Sequence, residues 1–532
     1  MRSARSESQS PVRCGSVAAG EGAAMTPAGE GAAMAPGPVN KTQVHVPPSE
    51  QPRHRPLAEN VLGVASGIVL GYASAAPVAS LAGVLGGLAG VSGYGALLAI
   101  FVGFLPLLGI AFGFYYLNRW RPDVGISYSW IGRILNPYLG AFVGMLIIIA
   151  YVVSNTFSII PAASSLLTLV APGLATSHFA IAITGTLFLA AITVVVVSGI
   201  RIAANFQWVI TAFESVVLFT FGGWAMVDAI IHHPAGSATP SLHWLSLTSA
   251  GGGKGLMAGL LITVFWYSGW ETAVVVNEET RQRFRYPGLA GIWALVGVLV
   301  ASMLFFTLFF SLVSPQYMFA HTATWLPDLG VRLAGHPWGN IMAVAILASF
   351  IGALETTIIT FGRVAFSMGR DGVLPKAFTA VGKRTKTPWA AMLILSVPSF
   401  AFFILDLWFG SASIGTILVN LSSSIGLMFV IYYALTGITA TWMLRHVVFR
   451  SVGGFVTGLV LPLGGAAFLV YMGYRASAGL SRSTLVTFLV TMVICVLIVV
   501  LSRVLGRSKF YAKGTETDIE LARSGDADPE DG

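Results

Sequence analysis

A chain of 532 residues that is 55% hydrophobic and only 10% charged, with a mean hydropathy of +0.79, lacks the polar surface that water requires, since a soluble domain carries about a quarter charged residues. That composition excludes a soluble globular protein and predicts an all-α integral membrane protein. The net charge of +8 does not point to nucleic acid, because the basic residues lie in short loops between apolar runs, where anionic lipid headgroups are the natural partner.

Residues 1–55 are rich in Gly, Ala, Pro and Ser and repeat GEGAAM at Gly20–Met25 and Gly29–Met34. Such a segment buries too little apolar surface to fold and is predicted to be a disordered tail. It has no apolar stretch of the kind a cleavable signal peptide needs. From residue 56 the hydropathy rises and falls about twelve times, predicting spans at 60–88, 94–117, 138–168, 179–199, 205–231, 256–279, 288–314, 338–366, 388–408, 412–442, 453–474 and 483–505. Gly140–Ser198 and Tyr286–Pro327 contain no Lys, Arg, Asp or Glu. A crossing takes roughly 20 residues, so each of these runs holds about two. The first ten spans occupy 56–445 and the last two 446–508, and the polar, increasingly acidic 509–532 reads as a second tail.

Alternate loops carry Arg119, Arg121, Arg133, Arg201, Arg281, Arg283, Arg285, Arg370, Lys376, Lys383, Arg384, Lys386, Arg445 and Arg450, whereas the others carry only Lys254, Arg332, Arg475 and Arg482. The positive-inside rule then predicts a multi-pass protein of the cytoplasmic membrane with both termini cytoplasmic. Cys14 and Cys495 lie far apart, and no HExxH, CxxC, nucleophile elbow or phosphate-cradling loop occurs. Neither an enzyme nor a resident metal or cofactor is predicted.

Two spans are interrupted. The first runs Ala65 to Pro77 with glycines at 67 and 71, and Pro77 offers no N–H and crowds the carbonyl of Ala73. The sixth contains Phe265-Trp266-Tyr267-Ser268-Gly269-Trp270-Glu271-Thr272, a glycine beside a carboxyl in mid-crossing. Either alone is compatible with a proline kink or small-residue packing. Together they open the two five-span halves of the chain, and unwound backbone at membrane depth survives only where protein or a water-filled cavity satisfies it.

The sixth span, with Asn277-Glu278-Glu279 and Pro287 after it, resembles the amino acid–polyamine–organocation permeases. So do Arg363-Val364-Ala365-Phe366-Ser367-Met368-Gly369-Arg370-Asp371-Gly372-Val373-Leu374-Pro375, closed by Thr387-Pro388, and Pro122-Asp123-Val124-Gly125-Ile126-Ser127-Tyr128. The resemblance covers about Asn60 to Arg445. It implies two five-helix inverted repeats with helices one and six broken, two further helices, and solute binding between helices one, three, six, eight and ten. Gly71-Tyr72-Ala73-Ser74 stands where the family often has Gly-Ser-Gly.

On that reading a small-molecule substrate binds at the two breaks. Gly71 and Tyr72 belong to the site, and the carboxylate lies against the backbone of Ala73, Ser74 and Ala75, since exposed N–H groups at a half-helix start attract anions. The amine meets carbonyls near Phe265 and Tyr267, with Phe265 and Trp266 as aromatic lids and Gly269 at the break. Glu271 occupies the family's proton-sensing position, and a charge at a helix centre costs at least about 2.5–3.5 kcal/mol unless it faces a cavity or a partner. Glu214 stands near the position where several relatives carry a lysine, and Glu214 and Glu355, with Thr356 and Thr357, would suit a coupling proton or Na⁺. Asp371 is expected to pair with Arg363 or Arg370. The predicted function is secondary active transport of amino acids or related amines, driven by protons. The alternatives are import of polyamines or organic cations, or amino acid/amine exchange, with Na⁺ as the other coupling ion.

Overall fold

In hydrocarbon no water bonds to exposed N–H and C=O groups, so a crossing segment must satisfy its own backbone, and apolar runs of this length do so as helices. The computed structural model describes residues 56–232, 238–321, 324–409, 414–505 and 508–512. The tail expected at 1–55, and all of the tail expected at 509–532 beyond residue 512, lie outside the described residues. The first half contains α1 (Val64–Ser74), α2 (Pro77–Gly83), α3 (Leu85–Ser92), α4 (Ala96–Trp120), α5 (Ser127–Ile134), α6 (Pro137–Val170), α7 (His178–Val197) and α8 (Ile200–His232). The second half opens with α9 (Gly252–Tyr267), α10 (Thr272–Val275) and α11 (Tyr286–Phe310). It continues with α12 (Pro315–Ala320), α13 (Trp325–Ala334), α14 (His336–Arg370), α15 (Trp389–Phe409) and α16 (Ile414–Leu444). The chain closes with α17 (Val452–Phe455), α18 (Leu461–Ser477) and α19 (Arg482–Leu505).

Among the described residues, eleven helical segments are long and apolar enough to cross a membrane. The sixth hydropathy maximum, 256–279, is not among them because its helix stops at Tyr267, after 16 residues. The most apolar stretch of α6 is 94% buried and that of α16 83%, against 22% for α19, so α6 and α16 are central and α19 is peripheral. Exposed Leu187 and Val194 of α7, Val216 and Phe219 of α8, Val397 of α15, and Leu489 and Val493 of α19 present apolar side chains outward, as a lipid-facing surface requires.

At the end carrying the basic loops, polar contacts tie the two interrupted segments to the rest. The amides of Val61 and Leu62 both donate to the carbonyl of Glu279, at 2.9 and 3.1 Å, and the Arg281 amide donates to Leu62 at 2.9 Å. Buried Arg363 meets buried Glu279 at 2.6 Å. Arg370 lies 3.0 Å from Glu278 and 3.1 Å from Asp123, which also accepts from Ser367 at 2.7 Å. Asp371 pairs with neither Arg363 nor Arg370 as its closest ion partner. It faces Arg133 at 3.6 Å and accepts from the Tyr128 hydroxyl at 3.0 Å. The reason is spacing: Arg363 is eight residues back along α14, about 12 Å at 1.5 Å per residue, and is already engaged by Glu279.

Burial alone would raise the Asp123 carboxyl, but Arg370, Arg133 and hydrogen bonds from Ser367 and Gly125 hold it down at about 2. A depressed acid stabilises the fold above its unfolded value and loses that contribution as pH falls through its folded value. Acid titration of the purified protein, followed by Trp fluorescence, should therefore show this cluster intact at pH 4 and opening between about pH 4 and 2; Asp123→Asn should flatten that limb.

The segment read as a tail from Lys509 begins instead with a docked turn, Lys509–Ala512. Phe510 is buried, its ring stacked on Tyr128 at 4.9 Å, and Tyr511 stacks on Tyr138 at 4.9 Å.

Candidate functional site

Both breaks have a local cause. After α1, Ala76 adopts a left-handed conformation (φ 46°, ψ 67°), and Pro77 then starts α2, where its missing N–H costs nothing. After α9, Ser268 is extended and Gly269 has φ +102°, so the chain cannot continue as helix until Thr272. The breaks lie against each other. A Cβ on Gly71 would sit 2.7 Å from the carbonyl oxygen of Trp270, and one on Gly269 would sit 2.4 Å from Ser74 Oγ. The Thr272 hydroxyl donates to Ser74 Oγ at 3.2 Å and shares a 2.9 Å hydrogen bond with Thr360 of α14.

Between the breaks lies a cavity lined by Ser74, Ala75, Ala76 and Ser80, by Phe265, Ser268 and Gly269, by Tyr151, Ser154, Phe157 and Ser158 of α6, and by Ala353 and Thr357 of α14. Its free interior is ≈ 40 Å³. One water needs roughly 10–15 Å³ on that measure, so the space holds a few waters. Phe157 meets Phe265 edge to face at 4.7 Å. Glu271 completes the second break. Its carboxylate accepts from the Tyr151 hydroxyl and from the Tyr433 hydroxyl of α16, each at 2.8 Å, and from the Gly269 amide at 3.1 Å. Two of these donors, Tyr151 and Gly269, also line the cavity, so Glu271 joins the cavity wall to α6 and α16.

The sequence model of the amino acid permease family matches residues 61–501, from just before the first break to the last helix. This chain belongs to the amino acid permease family. The permease is 24% identical over 333 residues to the low-affinity putrescine importer PlaP of Escherichia coli (strain K12), covering 61% of this chain and 70% of that one. It is 25% identical over 239 residues to cationic amino acid transporter 5 of Arabidopsis thaliana, covering 43% and 38%. It is 28% identical over 138 residues to the b(0,+)-type amino acid transporter 1 of Oryctolagus cuniculus, covering 26% and 28%. The crystal structure of MhsT in complex with L-phenylalanine superposes with a TM-score of 0.60 at 13% identity, over 79% of this chain and 100% of that one, a likeness of fold. The permease is thus a multi-pass membrane transporter and not an enzyme.

Of the residues expected at the site, Ser74, Ala75, Phe265, Gly269 and Thr357 line the cavity and Glu271 borders it. Others turn elsewhere. Gly71 gives α1 its close approach to Trp270, and Tyr72 packs towards Gly297 of α11. The Ala75 amide donates to Tyr72 and the Ala76 amide to Ala73, so the amides at the end of α1 are already used. The Phe265 carbonyl accepts from both the amide and the hydroxyl of Ser268. Trp266 donates to Ser302 of α11 at 2.8 Å and meets Phe306, so it turns away from the cavity rather than covering it, and the Tyr267 hydroxyl donates to the Ile100 carbonyl of α4 at 3.1 Å. Thr357 donates to Asn155 of α6, and Thr356 bonds only backward along its own helix. Glu214 accepts from Ser349, whose oxygen takes the Ala79 amide, and Glu355 is fully buried away from the cavity lining.

The resemblance placed the third span, α6, at the site, but sequence reading named none of its lining residues. Their signal was present: Ser154 and Ser158 recur at helical spacing, with Tyr151 one turn earlier, in a run that carries no charge.

Gly269→Ala should reduce uptake at least about tenfold, because positive φ costs a residue with a Cβ about 1–3 kcal/mol and the methyl group would overlap Ser74. Gly464→Ala, where the added carbon meets nothing within 4 Å, is the control. Equal uptake by the two variants would remove the contact between the breaks from the transport cycle.

Proposed function

We propose that this permease is a secondary active transporter of amino acids or related amines across the cytoplasmic membrane, coupled to protons and working by alternating access. The observation that carries this reading is Glu271: a buried carboxylate that closes one helix break, is bonded to two other helices and shares two of its donors with the cavity wall. A carboxyl so placed gains or loses a proton only with a change in those bonds, which is what coupling to a moving break requires. We place the basic-loop end, and with it both termini, on the cytoplasmic side.

Specific chemistry supports an amine. The cavity lining contains hydroxyls, carbonyls and rings but no Lys, Arg or His, and Glu271 is the acid beside it. A positively charged substrate therefore meets complementary groups, whereas a carboxylate depends on backbone amides near the start of α2. This lining also supports the second reading, a polyamine or organic-cation importer, and PlaP is a putrescine importer by name.

The test is uptake by the permease in liposomes, with labelled amino acids and their decarboxylated amines, with and without an inward proton gradient and with Na⁺ as a separate arm. The expected result is gradient-driven uptake; an amino acid taken up at least about tenfold better than its decarboxylated amine, a difference of about 1.4 kcal/mol, would show that backbone amides at α2 hold the carboxylate. The opposite preference selects the polyamine reading. Uptake indifferent to both pH and Na⁺ for every substrate would overturn coupled transport.

A further inference from the structure

Between α8 and α14 runs a polar seam that the substrate cavity does not use. On α8, Gln207, Thr211 and Glu214 recur four and three residues apart and share one face, and Ser349, Gly352 and Glu355 succeed one another at three-residue steps on α14. The two rows meet. The Ser349 hydroxyl donates to Glu214 at 3.1 Å, and a Cβ on Gly352 would lie 2.7 Å from Gln207 Nε2. Glu355 is three residues further along α14, about 5–6 Å between Cβ positions, which puts the Gln207 amide within reach of its side chain.

Both oxygens of Glu355, both polar atoms of Gln207 and the Thr211 hydroxyl are buried without a hydrogen-bond partner among the described residues. Glu355 and Gln207 are completely buried. Few ionisable groups on the elements packed against α14 reach this depth. The helices α2 and α10 have none, α7 has only His178 and α15 only Asp406, each towards the far end of its helix. On α6, Tyr151 is bonded to Glu271; α1 brings Tyr72; α8 brings Glu214 and exposed Arg201; α5, α13 and the 376–379 turn pack towards the ends of α14. No ion pair to Glu355 forms among the described residues, and an ionised carboxylate buried without a cation costs several kcal/mol. Five orphaned polar atoms in one seam also call for water, which bonds to groups of this kind when they are buried.

We propose that Glu355 is a second proton-binding carboxyl of the permease, kept in a hydrated seam that leads through Gln207, Thr211 and Glu214 to the first break. The link to the break is Ser349, whose hydroxyl oxygen accepts the Ala79 amide in the first turn of α2 at 3.1 Å. The exchange is a proton transfer only: an O–H bond on Glu355 is made from, and returned to, hydronium or water in the seam. Its contribution to transport rests on the proton-coupled reading above, whereas the protonation itself does not.

Two measurements on the full-length reconstituted protein separate these points. Infrared difference spectra between acid and alkaline pH should contain a protonated-carboxyl C=O band that Glu355→Gln removes and Gln207→Leu shifts by removing a polar group of the seam and the water it would hold. Proton and substrate fluxes measured together should give a proton-to-substrate ratio lower by about one in Glu355→Gln than in the wild type. Spectra and ratio both unchanged would overturn the proposal, and a band lost with no change in ratio would leave Glu355 a fixed structural acid, which also overturns it. If Glu355→Gln does not fold, the band shift in Gln207→Leu decides. A wild type that moves substrate without protons defeats the proton-coupled function instead, and is recognised by a ratio of zero with the Glu355 band present.

Discussion

Arg363→Ala is expected to destabilise the detergent-solubilised permease by about 3–5 kcal/mol, the cost of leaving one member of a buried ion pair without the other. Arg363 and Glu279 are both fully buried and lie 2.6 Å apart. Without the guanidinium, Glu279 would keep a charge that nothing else neutralises, beside the backbone that anchors Leu62 and Thr280. Replacing both residues, Arg363→Met with Glu279→Met, should recover most of the loss, because the penalty comes from the orphaned charge rather than from the pair itself. Thermal unfolding followed by Trp fluorescence distinguishes the cases: a single variant no less stable than the double would show that this ion pair does not hold the basic end together. Since Glu279 follows α10 and Arg363 belongs to α14, the same substitution should also loosen the second interrupted segment and speed substrate leak across the membrane.

Glu271→Gln is expected to abolish proton-driven uptake, at least about a hundredfold, while leaving the protein folded. The carboxylate accepts three hydrogen bonds, from Tyr151, Tyr433 and the Gly269 amide, and those to a charged group are worth about 1.5–3 kcal/mol each. An amide keeps one acceptor oxygen and presents an NH₂ group to a hydroxyl that had been donating, so one or two of these bonds are lost. More telling than the rate is its pH dependence. Glutamine copies the protonated acid and cannot release a proton, so residual uptake should be flat across pH. A variant with the wild-type pH response would take Glu271 out of the mechanism and leave the seam around Glu355 as the place to look.

The membrane class, the positions of the crossings and the two interruptions were legible in the sequence. Hydropathy maxima predict 138–168 and 338–366, and the helices are Pro137–Val170 and His336–Arg370. These are local properties: a run of apolar residues, a proline without an N–H, a glycine able to take φ +102°. Glu271 was legible for the same reason, since a carboxyl in mid-crossing is conspicuous beside apolar neighbours.

What local pattern does not contain is direction around a helix axis within a bundle that is apolar on every side. Phe265 and Trp266 are adjacent and both aromatic, yet one lines the cavity and the other donates to Ser302 on α11. Glu214, Glu271 and Glu355 looked alike as carboxyls inside crossings, and packing sent them to three different surroundings: Ser349, a pair of tyrosines, and a seam where the carboxyl has no hydrogen-bond partner among the described residues. In a soluble helix the polar face marks the outside, but here lipid and protein neighbours are equally apolar, so the hydrophobic pattern carries little of that information. The sequence by itself determined that this protein crosses the membrane as helices and that two of them break. Only the tertiary structure decided that the breaks touch, that α6 and α14 wall a cavity between them, and which buried acid belongs to it.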